Sequence, residues 1–118
     1  MNELEDLIIY KQYVELIYYT HNILLKYPKS ERFSLCTHTS DITYEGLECI
    51  IKAQKENQKI KRLAYLNQLD ADLKILKVYI RVAYKKKYIN VKNYMAWSKK
   101  LANITNLMGG WMKTCATQ

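Results

Sequence analysis

The sequence predicts an all-α fold, an up-and-down four-helix bundle formed by a single domain over residues 1–118. A chain of 118 residues is long enough for one domain whose core buries about two thirds of the unfolded surface. The chain contains three glycines and one proline, so residues that break helices are scarce. Apolar residues recur three and four positions apart in four segments. Because the connections are short, neighbouring helices should run in opposite directions.

The first helix is predicted over residues 4–27, and Pro28 ends it. Its apolar residues cover roughly 200° of the helix surface in two stripes. The stripes are Leu7, Tyr10, Val14, Ile17, His21 and Leu24, and Ile9, Tyr13, Leu16, Thr20 and Ile23. We interpret His21 as a hydrogen-bonded core histidine. A bundle core needs about half of this arc, so the excess predicts a homo-oligomer.

The second helix is predicted over residues 31–57, with a polar middle segment of low helix propensity at residues 36–41. Its core positions are predicted from the spacing of its larger residues. They are Phe33, Cys36, Thr43, Leu47, Ile50 and Ile51. Gly46 indicates either a close approach of two helices or a kink.

The third helix is predicted over residues 61–87, and the fourth begins after Asn90, which is a favourable N-cap residue. Ile89 and Tyr94 are placed to form a hydrophobic staple around this cap. The core of the third helix is predicted as Leu66, Leu69, Leu73, Leu76, Ile80, Ala83 and Tyr84. The core of the fourth is predicted as Tyr94, Trp97, Leu101, Ile104, Met108 and Trp111, a seam typical of bundles.

Positive charge is concentrated in the second part of the chain, whose overall net charge is +8. Residues 1–72 carry nine basic and eleven acidic side chains, whereas residues 73–118 carry ten basic and no acidic ones. Charge of one sign costs self-repulsion and is typical of a surface that binds a polyanion. The alternative is a basic surface that only keeps the protein in solution.

The candidate nucleic-acid-binding residues lie on the third and fourth helices and in the turn between them. Four of them, on the third helix, fall within about 80° of one another and form a row roughly 16 Å long. Tyr84 and Tyr88 flank the lysines of the turn and could stack on unpaired bases. The predicted set is Lys74, Lys77, Arg81, Lys85, Lys86, Lys87, Lys92, Lys99 and Lys100. The alternative interpretation is a solvated charged face.

Catalysis finds little support in the sequence, and we predict no enzyme activity, metal or cofactor. His38 has Ser40 and Asp41 nearby, but a catalytic triad needs residues that converge in space rather than neighbours on one helix. The sequence has no Glu-x-x-His pair for a di-iron site and no glycine-rich phosphate loop. The cysteines lack zinc-ligand spacing and are predicted to be free thiols, buried or half-buried: Cys36, Cys49 and Cys115.

Neither a signal peptide nor a membrane span is predicted. Residues 1–6 carry three acids and no basic side chain, the opposite of a signal peptide. No apolar run approaches the roughly 18 residues that a spanning helix needs. We therefore expect a cytoplasmic protein, in line with free cysteines in a reducing compartment.

Three segments resemble the accessory variability determinant (Avd) proteins of diversity-generating retroelements. The segments are YPKSERF at residues 27–33, LDADLKILKVYIRVA at residues 69–83 and LMGGWMK at residues 107–113. Together they cover the order and spacing of most of the chain, and the Gly-Gly-Trp sequence is the most specific of the matches. The polar residues 37–43 depart from the family pattern.

The resemblance implies a function as well as a fold. It implies a five-membered ring of four-helix bundles that binds the retroelement's reverse transcriptase and its template RNA or DNA, without chemistry of its own. The region of Arg81 and Lys85 matches the basic helix of the family. Gly109 and Gly110 are implied to lie in a continuous helix with a close backbone approach. The alternative is a structural homo-oligomer like the relatives encoded in ribosomal-RNA intervening sequences, with no role in a retroelement.

Overall fold

A computed structural model describes residues 7–116, and all the regular structure in that range is helical. The helices are α1 (Ile8–Leu24), α2 (Leu35–Lys55), α3 (Lys59–Lys85) and α4 (Val91–Ala116), with a short 3₁₀ turn at Lys29–Glu31. Each packs mainly against its neighbours in the cyclic order α1, α2, α3, α4. Consequently α1 and α3 lie at opposite corners of the bundle. The all-α four-helix prediction is confirmed.

The connection between α1 and α2 is held by Glu31. Pro28 has extended backbone and precedes the 3₁₀ turn, so α1 ends earlier than predicted. The predicted start at residue 4 lies outside the described residues. The Glu31 carboxylate accepts hydrogen bonds from the Leu35 N–H at 3.3 Å and from the Tyr88 hydroxyl at 2.7 Å. This side chain thereby joins the start of α2 to the turn between α3 and α4.

The two apolar stripes of α1 have different environments. The second stripe is wholly buried, whereas the first is mostly half-buried, with Ile17 as its buried member. The core assignment of His21 is wrong. Its side chain is exposed, and its Nε2 atom forms a hydrogen bond with the Tyr44 hydroxyl on α2. Spacing alone cannot choose between two adjacent stripes, because the choice depends on where the neighbouring helices lie.

Helix α2 runs unbroken through its polar segment and packs through small side chains. Phe33 is 87 % exposed and Ile51 is exposed as well, so both core assignments are wrong. The buried positions of this helix are Thr39, Thr43, Gly46, Cys49, Ile50 and Ala53. The Thr43 hydroxyl bonds to the Thr39 carbonyl at 2.7 Å, which allows this polar residue to be buried.

Gly46 marks a close approach rather than a kink, since it lies inside an unbroken helix. The ring of Tyr13 from α1 occupies the space that a side chain at this position would fill. The Tyr13 hydroxyl donates to the Thr43 carbonyl at 2.7 Å. The close approach of α1 to α2 therefore depends on the large ring of Tyr13 and on the lack of a side chain at Gly46.

The cores of α3 and α4 agree closely with the prediction. Six of the seven predicted α3 residues are buried; the exception is Tyr84, which is partly exposed and stacks on Tyr94. The Asn90 side chain accepts a hydrogen bond from the Asn93 N–H at 2.8 Å, which confirms the cap. The four central α4 positions are buried, whereas Tyr94 and Trp111 are half-buried. The indole N–H of Trp97 donates to the Thr20 hydroxyl at 3.1 Å.

Gly109 and Gly110 lie in a continuous helix, as the resemblance implied. The implied close backbone approach is absent within the described chain. A methyl group at either position would meet no atom within 4 Å. Packing within the chain therefore does not explain these two glycines.

The three cysteines are free thiols, as predicted, with Cys49 and Cys115 buried and Cys36 half-buried. Among the described residues no helix is sufficiently long and apolar to cross a membrane.

Candidate nucleic-acid interface

Helix α3 presents a row of exposed basic side chains on the side that faces α4. Its members are Lys74, Lys77, Arg81 and Lys85, all exposed, and we call this row the basic ridge. The helix is unbroken from Lys59 to Lys85, so their spacing of three and four residues holds them on one face. Repeated cations along one helix edge match the repeated charges of a nucleic-acid backbone.

A groove between α3 and α4 runs beside the basic ridge. Its volume is about 240 Å³, and Lys74 and Lys77 form part of its α3 wall. Leu73 and Leu101 also line it, and the α4 wall carries Ser98, Ala102, Thr105 and Asn106. One lining residue is acidic: Asp70, whose carboxylate pairs with the Lys74 ammonium group at 2.6 Å. The groove therefore combines positive charge with small polar side chains that leave room for a ligand.

The turn after α3 adds two lysines, and one has unusual backbone geometry. Lys86 is the C-cap residue, and Lys87 has a φ of 65° in the left-handed region. The N–H of Tyr88 bonds to the Ala83 carbonyl at 2.9 Å, and the N–H of Lys87 bonds to the Tyr84 carbonyl at 3.0 Å. This pair of bonds is the Schellman motif, in which glycine usually occupies the left-handed position. Here a lysine occupies it.

None of the three predicted basic residues of α4 lines the groove. The Lys100 ammonium group lies 5.4 Å from the ring centre of Tyr19 on α1, which is the opposite side of α4. At about 100° per residue, Lys92 and Lys99 lie roughly a quarter-turn from the middle of the α4 wall, toward the edge that carries Asn106. The structure thus brings six of the nine predicted residues to the ridge and its turn, leaves Lys92 and Lys99 exposed at the edge of α4 beyond the groove, and turns Lys100 toward α1.

Comparison with known families agrees with the resemblance seen in the sequence. A family model described as bAvd-like matches residues 7–115. The chain belongs to the bAvd-like family. No curated protein matches it. The match spans all four helices, so the basic ridge and the turn of this bAvd-like protein lie within the region that defines the family.

The bAvd-like protein also carries an apolar row on the outer face of α3, which the sequence analysis missed. Its members are Ala71, Ile75, Val78 and Val82, at spacings of four, three and four residues, and we call it the outer seam. Val78 is 52 % exposed, and none of the four is fully buried. A second repeat of this spacing beside the core repeat is the sequence signal that could have revealed it.

A second exposed apolar surface lies where α1 meets α2, around the contact between His21 and Tyr44. We call it the aromatic patch; its members are Tyr18, His21, Leu25, Tyr44 and Ile51. Leu25 is 84 % exposed. Exposed acids lie on the same two helices: Glu15, Asp41 and Glu48. This surface is separate from the outer seam, and exposed lysines lie beside it as well as the acids, at Lys11 and Lys55.

Between α2 and α3 the protein buries one carboxyl group, that of Asp72. Its oxygens accept from the Gln68 amide at 3.0 Å and from the Cys49 thiol at 3.9 Å. Burial, together with the neighbouring Glu45 carboxylate, raises the pKa of Asp72 to about 7. Among the described residues no group of His, Cys, Asp and Glu side chains is arranged to hold a metal ion.

Proposed function

We propose that this bAvd-like protein is a nucleic-acid-binding accessory protein of a diversity-generating retroelement, and that it binds the element's reverse transcriptase and template RNA. The observation that carries the proposal is the basic ridge, which continues into the turn at Lys86 and Lys87 with no acid after Asp72. Membership of the family supports the retroelement context. In this proposal the protein works in the cytoplasm as a scaffold and performs no chemistry.

The proposed partnership rests on a physical need for specificity. A ridge of surface cations binds any phosphate backbone, so the choice of template must come from a second protein. Co-expression with the adjacent reverse transcriptase, followed by pull-down with and without ribonuclease, tests the pair. Recovery of the enzyme only with intact RNA would mean that RNA joins the two proteins. Recovery in neither condition would favour the alternative, a structural oligomer of the ribosomal intervening-sequence type.

Reversing two charges of the basic ridge should weaken RNA binding without unfolding the protein. We expect Arg81→Glu/Lys85→Glu to lower affinity for a structured RNA roughly tenfold or more at about 150 mM salt. The plot of log affinity against log salt should become shallower by about 1.4 to 1.8, since two phosphate contacts are lost. Fluorescence anisotropy across a salt series measures both quantities, and circular dichroism checks the helix content.

The matched control reverses two exposed lysines on the far face of α2, Lys52→Glu/Lys55→Glu, with the same change in net charge. This variant should keep its affinity within about threefold, because long-range charge effects are screened beyond about 8 Å. If both double variants lose affinity equally, net charge rather than the ridge determines binding.

We further propose that copies of the protein assemble into a closed ring, with five subunits favoured by the family resemblance. The outer seam lies on α3 and the aromatic patch on α1 and α2, so the two are separate surfaces of one bundle and each could cover the other on the next copy. A contact between two different surfaces closes into a ring when its rotation divides a full turn.

Placing a carboxylate in the outer seam should abolish the assembly. We expect Val78→Glu to elute as a monomer at micromolar concentration, whereas the wild type elutes as a closed oligomer in size-exclusion chromatography with light scattering. The control Val91→Glu changes an equally exposed valine at the start of α4 and should remain oligomeric. A monomeric wild type would contradict the ring itself. An oligomeric Val78→Glu variant would place the contact on another surface.

A further inference from the structure

We infer that the end of the basic ridge recognises an unpaired nucleotide, whose base stacks on Tyr84 and whose phosphates contact Lys85 and Lys87. The inference rests on the proposed nucleic-acid binding and narrows the ligand to single-stranded nucleic acid. Two independent features of the turn between α3 and α4 carry it: the arrangement of two tyrosine rings, and the backbone conformation of one lysine.

The tyrosine feature is a stacked pair at the end of the ridge. The rings of Tyr84 and Tyr94 lie 4.4 Å apart at 11° to one another, and Tyr84 is 37 % exposed. Tyr94 supports Tyr84 from α4, so the orientation of the exposed ring is set before a ligand arrives. A ring fixed in advance loses little conformational entropy on binding. Stacking of a base on an aromatic ring is tolerant of sequence, because every base offers a flat aromatic face.

The lysine feature is the left-handed conformation of Lys87. This backbone conformation costs free energy for any residue with a Cβ atom, and Lys87 adopts it. Glycine has no Cβ atom and adopts it without that cost. Within the described chain, the structure shows no hydrogen bond or ion pair from the Lys87 ammonium group that would offset the cost. A strained residue whose side chain does not stabilise the fold indicates a role outside the fold. An exposed cation next to a stacking ring fits a phosphate contact.

Lys86 is less suited to this role than its two neighbours. Hydrogen bonds from Tyr88 and Leu35, and the positive charge of Lys86, lower the pKa of Glu31. The Lys86 charge therefore lies within electrostatic range of a carboxylate of the same chain. Lys85 and Lys87 are exposed on either side of it, and Lys85 continues the ridge from Arg81. The proposed path of the strand therefore leads from the ridge past Tyr84 to Lys87.

The geometry favours an unpaired strand over a duplex. Stacking on a side chain needs a free base face, and within a duplex those faces are covered by neighbouring base pairs. Basic side chains alone would serve either form equally, since both offer phosphates. The ratio of single-strand affinity to duplex affinity therefore measures the contribution of Tyr84. The affinity for either form measures the contribution of the lysines.

The experiment compares a fluorescein-labelled 12-nucleotide RNA that does not self-pair with its 12-base-pair duplex, by anisotropy at about 100 mM salt. We expect the wild type to bind the single strand at least about tenfold more tightly. Tyr84→Leu should lower single-strand affinity about 5- to 100-fold, leave duplex affinity within about twofold, and thereby remove the preference. Tyr84→Phe keeps the ring and should keep the preference. Unchanged duplex binding also shows that the variants are folded.

A second variant, Lys87→Gly, should be more stable than the wild type and should bind RNA more weakly. A loss of affinity in this variant therefore cannot result from unfolding. Its melting temperature should rise by about 3–5 °C, since glycine adopts the left-handed conformation without strain. Its affinity for both probes should fall about two- to fivefold, with a single-strand salt slope shallower by about 0.7. A higher melting temperature with unchanged affinity would remove Lys87 from the site.

The outcomes distinguish this inference from the proposed function. If the wild type binds neither probe, nucleic-acid binding itself is wrong. If it binds both forms equally, or if Tyr84→Leu weakens both equally, the unpaired-base inference is overturned while nucleic-acid binding stands.

Discussion

Replacing Gly46 with alanine is expected to destabilise the protein by about 3 kcal/mol or more. The added methyl group would overlap the Tyr13 hydroxyl oxygen and lie 2.8 Å from the ring carbon that bears it. The Tyr13 ring has no exposed surface, and its hydroxyl is bonded to the Thr43 carbonyl at 2.7 Å. On the other side, Leu69 would be 3.3 Å from the methyl group. Relief therefore requires α1 and α2 to move apart and break that hydrogen bond.

Urea denaturation of single and double variants measures this effect. Tyr13→Leu alone should be destabilising because it removes buried volume, but in the Gly46→Ala background it should cost much less, because it also removes the overlap. Gly110→Ala is the control, since no atom of residues 7–116 lies within 4 Å of its added methyl group. We expect that variant to gain about 0.5–1 kcal/mol from reduced backbone entropy in the unfolded chain. Equal effects at the two glycines would contradict the close approach at Gly46.

The position of Gly46 also explains which part of the fold could be predicted from sequence. Leu66 and Leu73 on α3, or Trp97 and Leu101 on α4, are large apolar residues whose spacing identifies a core directly. In α2 the buried positions include Thr39, Gly46 and Ala53, which hydrophobic spacing does not select. At Gly46 the close packing follows from the size of the facing Tyr13 ring, and that information belongs to another helix.

The candidate site divides in the same way. The basic ridge was predictable because its four members share one helix, where spacing alone determines the face. The position of Lys100, which lies against Tyr19 and away from the basic ridge, was not predictable. It depends on how α4 is rotated between α1 and α3. The left-handed backbone of Lys87 was also hidden, since Schellman motifs are recognised in sequences by glycine and this motif has none.

The stability of the protein is expected to fall as pH rises from about 5 to about 7, because of Asp72. Burial beside Glu45 raises the pKa of Asp72 to about 7, well above its ordinary value of 3.8. In that pH range the folded state keeps the proton, whereas the unfolded state releases it. The stabilisation from this group is thus complete below the unfolded pKa and lost as pH rises through the folded one. The slope is roughly 1 kcal/mol per pH unit within the window, and stability should level off above it.

Glu31 has the opposite dependence and limits the useful pH range. Hydrogen bonds from Tyr88 and Leu35 lower its pKa below the ordinary value of 4.5, so its contribution is lost as pH falls below that value. Measurements from pH 5 to 8.5 therefore isolate Asp72. Chemical denaturation at fixed ionic strength provides the free energy of unfolding at each pH.

Asp72→Asn should remove this pH dependence, because the amide is always neutral and has nearly the same shape. Its oxygen can still accept from Gln68, and its N–H groups can donate to the adjacent Glu45, which prefers a donor to a second carboxylate. The variant should match the wild type near pH 5 and exceed its stability at pH 8. Asp70→Asn, two residues earlier and partly exposed in the groove, is the control and should keep the wild-type slope. A wild-type slope in Asp72→Asn would assign the pH dependence to another group, and would mean that the buried carboxyl group is not protonated in the folded protein.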